Sequence, residues 1–180
     1  MAGPLISELP FHAVGGQPGF EPEALERFVT QTRVATLAYL RADGRPHQTP
    51  IWFTYREGTF FMTTGADAPK DRALTRDPRV SITIQDDAPP YRAVIMEGVV
   101  ELTPLDPADD PTDGVAVRYF GKVAAAEYEK MAAESYEAGL TLISFRPTAV
   151  RGFDNTNAIG RPTLAFLWLR ERLPIPRRWL

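Results

Sequence analysis

The feature that most constrains this chain is a run of short strand patterns between residues 33 and 101, separated by tight turns. The turn at Asp43-Gly44 favours a hairpin, because this dipeptide tolerates the positive φ that tight hairpins require. A second turn follows at Glu57-Gly58. Short antiparallel strands with local connections are typical of a small barrel. We therefore predict a mainly β protein of the α+β class, with a six- to seven-stranded antiparallel barrel and flanking helices.

The chain divides into three parts along its length. Residues 1–20 are rich in Pro and Gly and predict an irregular N-terminal arm. Residues 21–159 predict one barrel domain, and residues 160–180 predict a tail that packs on the body or on a second subunit. The predicted strands cover residues 33–41, 46–56, 59–64, 79–85, 91–103, 140–146 and 148–153. The predicted helices cover residues 21–31, 69–76 and 115–137, the last with a break near Gly121.

Composition limits the function classes that are open to the chain. Its 180 residues suffice for one domain with a core, and the net charge of −3 gives no reason to expect nucleic acid as a partner. The absence of cysteine excludes disulfides and thiolate catalysis, and the two histidines, His12 and His47, show no metal-binding spacing. No apolar run is long enough to span a membrane, and the N-terminus lacks a signal-peptide pattern. We expect a cytoplasmic protein without a metal site or a membrane partner.

The segment from residue 60 to residue 72 is the first candidate site. Thr63 and Thr64 end an apolar strand, and Gly65 lets a ligand approach the backbone closely. The next helix begins near Lys70, where free N–H groups and the helix dipole favour an anion. Lys70 adds a full charge, and Arg72 adds a bidentate donor. This grouping predicts a phosphate site; the alternative is that the cations form the solvated face of a surface helix.

The strand that begins at Pro46 is the second candidate. Because Pro46 and Pro50 cannot donate ladder hydrogen bonds, this strand must be partly unpaired on one side. Its free backbone groups would then be available to the polar rim of a planar ring. The alternative is that Trp52 and Phe53 are ordinary core and dimer packing. Tyr91 is a candidate proton donor that would reach the cavity from a neighbouring subunit; the catalytic residues are otherwise unassigned.

Four segments of the chain together resemble the split β-barrel flavoprotein superfamily that includes pyridoxamine 5′-phosphate oxidase. They are RVATLAYLRADGRPHQTPIWF, TFFMTTGADAPKDRAL, DPRVSITI and EGVVEL. The resemblance spans about residues 25–103 and implies an FMN-binding type of split β-barrel and a homodimer with its sites at the subunit interface. It implies that the following residues line the cofactor and its phosphate: Gln48, Thr49, Pro50, Ile51, Trp52, Thr63, Thr64, Lys70 and Arg72.

One departure bears on the activity. The true oxidases have Arg-Gln-Val-Arg before Glu-Gly in the fifth strand, whereas this chain has Ala93 in place of that Gln. The chain is more similar to the branch of the superfamily that uses the deazaflavin coenzyme F420, and its 17 Arg against 3 Lys suit a high-GC actinobacterium.

This similarity makes an oxidoreductase that passes a hydride from reduced F420 to an unsaturated small molecule the first hypothesis. An FMN-dependent oxidase or reductase on the same fold is the second. A non-catalytic flavin or haem binder is the third, with His47 as the candidate axial ligand.

Overall fold

The computed structural model describes residues 3–136 and 138–172, so the end of the predicted tail lies outside the described residues. The strands are β1 Phe11–Ala13, β2 Ala35–Leu40, β3 Pro46–Ile51, β4 Thr54–Arg56, β5 Thr59–Gly65, β6 Arg79–Gln85, β7 Arg92–Pro104 and β8 Leu140–Asp154. The α-helices are α1 Pro22–Thr30, α2 Pro69–Arg76, α3 Val115–Ser135 and α4 Arg161–Arg172, and a short 3₁₀ helix covers Ile6–Glu8. Within the described ranges, no helix combines the length and apolar character needed to cross a membrane.

The strands form one sheet in the order β3-β2-β6-β7-β8-β5-β4, with β1 paired to β8 outside this path. All pairs on the path are antiparallel. Because β3 and β4 end the path, the sheet curls into a barrel that is split between them. The predicted α+β split barrel is therefore confirmed.

The strand count is eight instead of the predicted six to seven. The predicted strand 46–56 divides at Trp52-Phe53 into β3 and β4. The two strands predicted on either side of Pro147 form one strand, β8. Pro147 lies opposite Gly98, at a register shift between Glu97 and Gly98 of β7. A Cβ on Gly98 would lie 2.9 Å from the Arg146 carbonyl oxygen, so this crossing requires a glycine.

The N-terminal arm contains more order than the irregular segment that its Pro and Gly content predicted. Its β1 pairs in parallel with β8, with Phe11 opposite Val150. Ile6 is fully buried. Its backbone N–H donates to the Tyr55 hydroxyl at 3.0 Å. Tertiary contacts with the body, which local composition does not report, therefore order the arm.

The core lies between α1 and the inner face of the sheet. Its largest fully buried side chains are aromatic, namely Phe28, Phe53, Phe60 and Phe145. The predicted helices at 21–31 and 69–76 match α1 and α2 within one residue at each end. The tail segment also begins with a helix, α4, which the sequence did not predict; Leu164 and Leu167 share a small cavity with Pro89 and Pro90.

Three strand ends meet at one carboxylate. Asp86, just after β6, accepts from the Arg33 guanidinium at 2.8 Å and from the Arg92 guanidinium at 2.6 Å. The two guanidinium carbons lie 4.0 and 5.0 Å from the centroid of the Phe28 ring. These contacts join the start of β2, the end of β6 and the start of β7 over α1.

Candidate functional site

A cavity of about 720 Å³ opens at the split of the barrel, beside β3 and β5. Its first wall is built by the barrel itself. Six of the predicted cofactor residues line this wall: Pro50, Ile51, Trp52, Thr63, Thr64 and Lys70. The two candidate segments that the sequence singled out separately are therefore brought together in one site.

The β3 side of the cavity has unpaired backbone, as predicted. β3 bonds to β2 on one side and ends the sheet path on the other. Thr49 Oγ1 is the one buried side-chain polar atom without a hydrogen-bond partner among the described residues. Thr49 itself does not line the cavity, although the next residues of β3, Pro50 and Ile51, do. Buried polar groups are almost always paired, so an orphaned hydroxyl on this strand marks a place where the barrel leaves a polar group unsatisfied.

Lys70 brings a positive charge into the same cavity. It is the second residue of α2, after Pro69, and its side chain is half-buried. Across the described part of the chain, its ammonium group has no ion pair and no hydrogen bond. Burial lowers the pKa of Lys70 below its ordinary value, because the charged form loses water. A cation without a protein partner at a helix N-terminus suits an anionic ligand.

The remaining predicted cofactor residues do not line the cavity. The Arg72 guanidinium turns back to Asp67, whose carboxylate lies 3.2 Å away and whose carbonyl it also contacts, and its side chain is 57% exposed. Gln48 is exposed on β3, two residues before Pro50. Gly65 lies under the ring of Tyr136. In this arrangement Arg72 is on the solvated face of the helix, which was the alternative to a phosphate contact.

The second wall of the cavity is the segment between β7 and β8, which we call the cover (residues 105–136). Its start is fixed to the barrel, because Leu105 N–H donates to the Leu140 carbonyl at 2.9 Å. The first part of α3 is also fixed: the Tyr119 hydroxyl donates to the Arg33 carbonyl at 2.7 Å, and Arg118 donates to the Gln31 carbonyl at 2.7 Å. The break predicted near Gly121 is confirmed by its non-helical φ of 76° and ψ of 166°.

An aromatic cluster joins the cover to the barrel wall. The Trp52 ring stacks on the Tyr119 ring with centroids 4.9 Å apart and planes at 11°. The rings of Phe120 and Tyr128 each lie 4.8 Å from the same indole. Trp52 therefore packs against the cover, which agrees with the packing alternative for this residue, and it lines the cavity as well.

Sequence reasoning missed the site residues of the cover. Tyr128, Glu129 and Tyr136 fall within the predicted helix 115–137 and were given no part in the site, yet all three line the cavity. The aromatic residues spaced along α3 were a signal of a buried face. No local pattern indicated that this face covers the opening between β3 and β5, since this depends on the path from β7 to β8.

Two further candidates lie away from the cavity. Tyr91 is 52% exposed at the start of β7 and does not line the cavity of its own subunit. His47 lies on β3, where its Nδ1 is 2.8 Å from an Arg41 guanidinium nitrogen, and it does not line the cavity either. A role for Tyr91 stays a prediction that requires a second subunit.

Comparison with protein families finds one match. The family described as pyridoxamine 5′-phosphate oxidase matches residues 21–154. This range includes both candidate segments and ends at the last residue of β8. No curated protein matches the chain.

Comparison with solved structures agrees with the family match. A conserved hypothetical protein from Mycobacterium tuberculosis is 26% identical with a TM-score of 0.61, over 82% of this chain and 97% of that chain. A protein named F420 reductase is 26% identical with a TM-score of 0.57, over 69% of this chain and 94% of that chain. An FAD-binding protein from Mesorhizobium loti, at 18% identity and a TM-score of 0.51 over 74% of this chain and 92% of that chain, shares the fold.

Proposed function

Because this chain belongs to the pyridoxamine 5′-phosphate oxidase family, we propose that it is an oxidoreductase that transfers a hydride from reduced coenzyme F420 to an unsaturated small molecule. The observation that carries the proposal is that six residues predicted to bind the cofactor meet in one cavity, and that one of them, Lys70, is a cation without a partner among the described residues. The similarity to a protein named F420 reductase, which extends over 94% of that protein, favours F420 over FMN. Ala93, in place of the oxidase Gln, favours it too.

The residues of the cavity suit a phosphorylated planar cofactor. Lys70 and the hydroxyls of Thr63 and Thr64, which line the cavity, would hold the phosphate beside the start of α2. The free edge of β3 would meet the polar rim of the ring. The cofactor, when bound, supplies the hydride. The chain would bind and orient it between the barrel wall and the cover.

Arg72 takes part in this proposal only after a rearrangement. Its guanidinium is held by Asp67, so binding of a phosphate by Arg72 requires the ion pair with Asp67 to break. This surface pair is exposed and therefore weak, so a phosphate can replace the carboxylate at small cost. We assign the larger share of phosphate binding to Lys70.

We propose a homodimer as the functional form. Tyr91 is exposed, and its own subunit places it outside the cavity. A partner would have to bring it to the site for it to donate a proton. Light scattering coupled to size-exclusion chromatography measures the mass directly, and a monomer at working concentration would exclude this part of the proposal.

The test of the function is a fluorescence titration of the purified protein with F420 and with FMN, side by side. We expect tighter binding of F420, and a loss of at least about tenfold in affinity in Lys70→Ala, because a half-buried charge contact is removed. Lys130→Ala is the matched control, since Lys130 is exposed on α3 and does not line the cavity. Unchanged affinity in Lys70→Ala contradicts the proposed phosphate site.

FMN is the alternative cofactor, and the same titration decides between the two. Tighter binding of FMN makes the protein an FMN-dependent oxidase or reductase on the same site. The non-catalytic haem alternative gains no support from the cavity, because His47 is outside it and contacts Arg41.

A further inference from the structure

The two walls of the cavity carry opposite charges. The barrel wall contributes Lys70, the one cation among the described lining residues. The cover contributes three carboxylates, from Asp110, Asp113 and Glu129. A phosphate held at Lys70 would neutralise the first wall and leave the second wall acidic.

The carboxylates of the cover differ in what they already bind. Asp110 accepts from the Thr112 backbone N–H at 2.6 Å and from its hydroxyl at 2.7 Å, so this group shapes the loop. The carboxylates of Asp113 and Glu129 have no ion pair and accept no hydrogen bond from any described residue. The nearest cation in sequence to Asp113, Arg118, is turned away to the carbonyls of Thr30 and Gln31.

Aromatic rings line both walls of the same cavity. Trp52, Tyr128 and Tyr136 all line the cavity. Burial raises the pKa of Tyr128, with a smaller contribution from Tyr136, so its hydroxyl stays protonated and neutral at physiological pH. Ring faces offer apolar area to a planar molecule and attract a cation through their quadrupole.

We infer that the cover selects the substrate by charge, so that the cavity takes planar molecules that are neutral or cationic and disfavours anionic ones. This inference rests on the proposed function, because the selected molecule is a substrate only if the protein is an oxidoreductase. Its physical content is a property of the cavity alone: the lining includes three aromatic rings and two carboxylates that have no partner among the described residues. Asp113 and Glu129 are the residues that determine the charge preference.

The experiment measures binding of three matched probes to the protein without cofactor, by isothermal titration calorimetry. The probes share one nitrobenzene ring and differ in charge: para-nitrobenzyltrimethylammonium, para-nitrobenzamide and para-nitrobenzoate. We expect the cation to bind at least about tenfold more tightly than the anion at low salt, since two carboxylates act over a short distance in a partly shielded cavity. The preference is expected to shrink as salt is raised.

The variant that tests the assignment is Asp113→Asn combined with Glu129→Gln. Both substitutions keep the shape of exposed side chains, and we expect the ratio of cation to anion affinity to fall at least about fivefold. Lys70 is unchanged in this comparison, so attraction of the anion to Lys70 cancels. Glu127→Gln is the control, because Glu127 is exposed on the same helix and does not line the cavity.

An anion that binds as tightly as the cation, absence of binding by all three probes, or an unchanged ratio in the double variant overturns the inference. Glu129→Gln alone serves if the double variant does not fold, with a smaller expected fall in the same ratio. Failure of the proposed function has a different signature. In that case neither F420 nor FMN binds, while the charge preference of the probes persists.

Discussion

The ring of Tyr136 lies on Gly65 so closely that a Cβ at position 65 would be 2.7 Å from Tyr136 Cδ1 and 2.9 Å from Cε1. The sequence predicted that Gly65 allows a phosphate to approach the backbone. In the structure the glycine instead admits a ring from the end of the cover. The loop after Gly65 is joined to the same region, because Ala66 N–H donates to the Gly139 carbonyl at 3.0 Å.

Gly65→Ala is expected to displace the Tyr136 ring toward solvent. Because Tyr136 is already 42% exposed, the cost to the free energy of unfolding should be about 1 kcal/mol or less. The check is a double-mutant cycle measured by urea denaturation. Gly65→Ala should cost clearly less when Tyr136 has already been changed to Ala, and equal costs in both backgrounds would show that the contact does not constrain the glycine.

Trp52→Ala is expected to release the second part of α3, because the indole contacts Tyr119, Phe120 and Tyr128 together. The loss of a half-buried aromatic side chain should lower the free energy of unfolding by about 2–3 kcal/mol. Hydrogen exchange should rise in residues 122–135 and change little in β6 and β7. Phe166→Ala, an exposed ring on α4, is the control. Equal protection of α3 in Trp52→Ala and the wild type would contradict this role.

Tyr55 is expected to make stability depend on pH in the alkaline range. Burial, followed by the nearby Glu26 carboxylate, raises the pKa of the Tyr55 hydroxyl from 10.0 to about 12. The folded protein therefore holds this proton more tightly than the unfolded chain, so the contribution to stability is complete below pH 10 and is lost as the pH rises toward 12. Urea midpoints measured across this range should fall less steeply in Tyr55→Phe than in the wild type.

Tyr55→Phe also has an effect at neutral pH. The hydroxyl accepts from Ile6 N–H and donates to Glu26 at 3.1 Å. Its removal leaves Ile6 N–H without an acceptor, whereas Glu26 keeps its hydrogen bonds from Ser7. The expected cost is about 1–2 kcal/mol. Tyr91→Phe, at an exposed position, serves as the control. An identical alkaline slope in Tyr55→Phe and the wild type would show that another group controls it.

Asp86→Asn is expected to be the most destabilising single change of a charged residue among those discussed. It leaves the guanidiniums of Arg33 and Arg92 without their carboxylate, and the three side chains are only 13–27% exposed. The expected loss in the free energy of unfolding is about 2–4 kcal/mol, toward the lower end of values for buried ion pairs because some solvent reaches the site. Asp43→Asn, at an exposed pair with Arg45, is the control and should change stability little.

The sequence predicted the parts of the barrel whose structure is determined by local pattern. The alternation of Val80, Ile82 and Ile84 gave the bounds of β6, and Pro69 gave the start of α2. The sequence-based prediction failed for strands whose formation depends on contacts with distant parts of the chain. β1 exists because it pairs with β8, and β8 passes through Pro147 because Gly98 lies opposite.

The candidate site shows the same division. Thr63, Thr64 and Lys70 line the cavity beside a strand end and a helix start that the sequence located. Pro50, Ile51 and Trp52 line it at the end of β3, a strand end inside the predicted strand 46–56 that the sequence missed. The orientation of Arg72 could not be predicted from the sequence. Its side chain pairs with Asp67, and the position of Asp67 depends on a loop in which this residue has a positive φ of 56°. The cover was missed as a wall because its position depends on where β7 and β8 lead the chain.

The hydrogen bond from Leu105 to Leu140 has a consequence for how proteins of this shape diversify. Next to it, β7 and β8 pair at Pro104↔Thr141 and Thr103↔Leu142, so the pairing of the two strands extends up to the point where the chain leaves β7 and returns to β8. The segment between these two residues is in effect a long hairpin loop, and the free energy of closing such a loop changes only slowly with its length. Under the proposed function, a different segment grafted at this junction should change which molecules the cavity accepts while the pairing of β7 with β8 is kept, provided that the new segment also packs against Trp52.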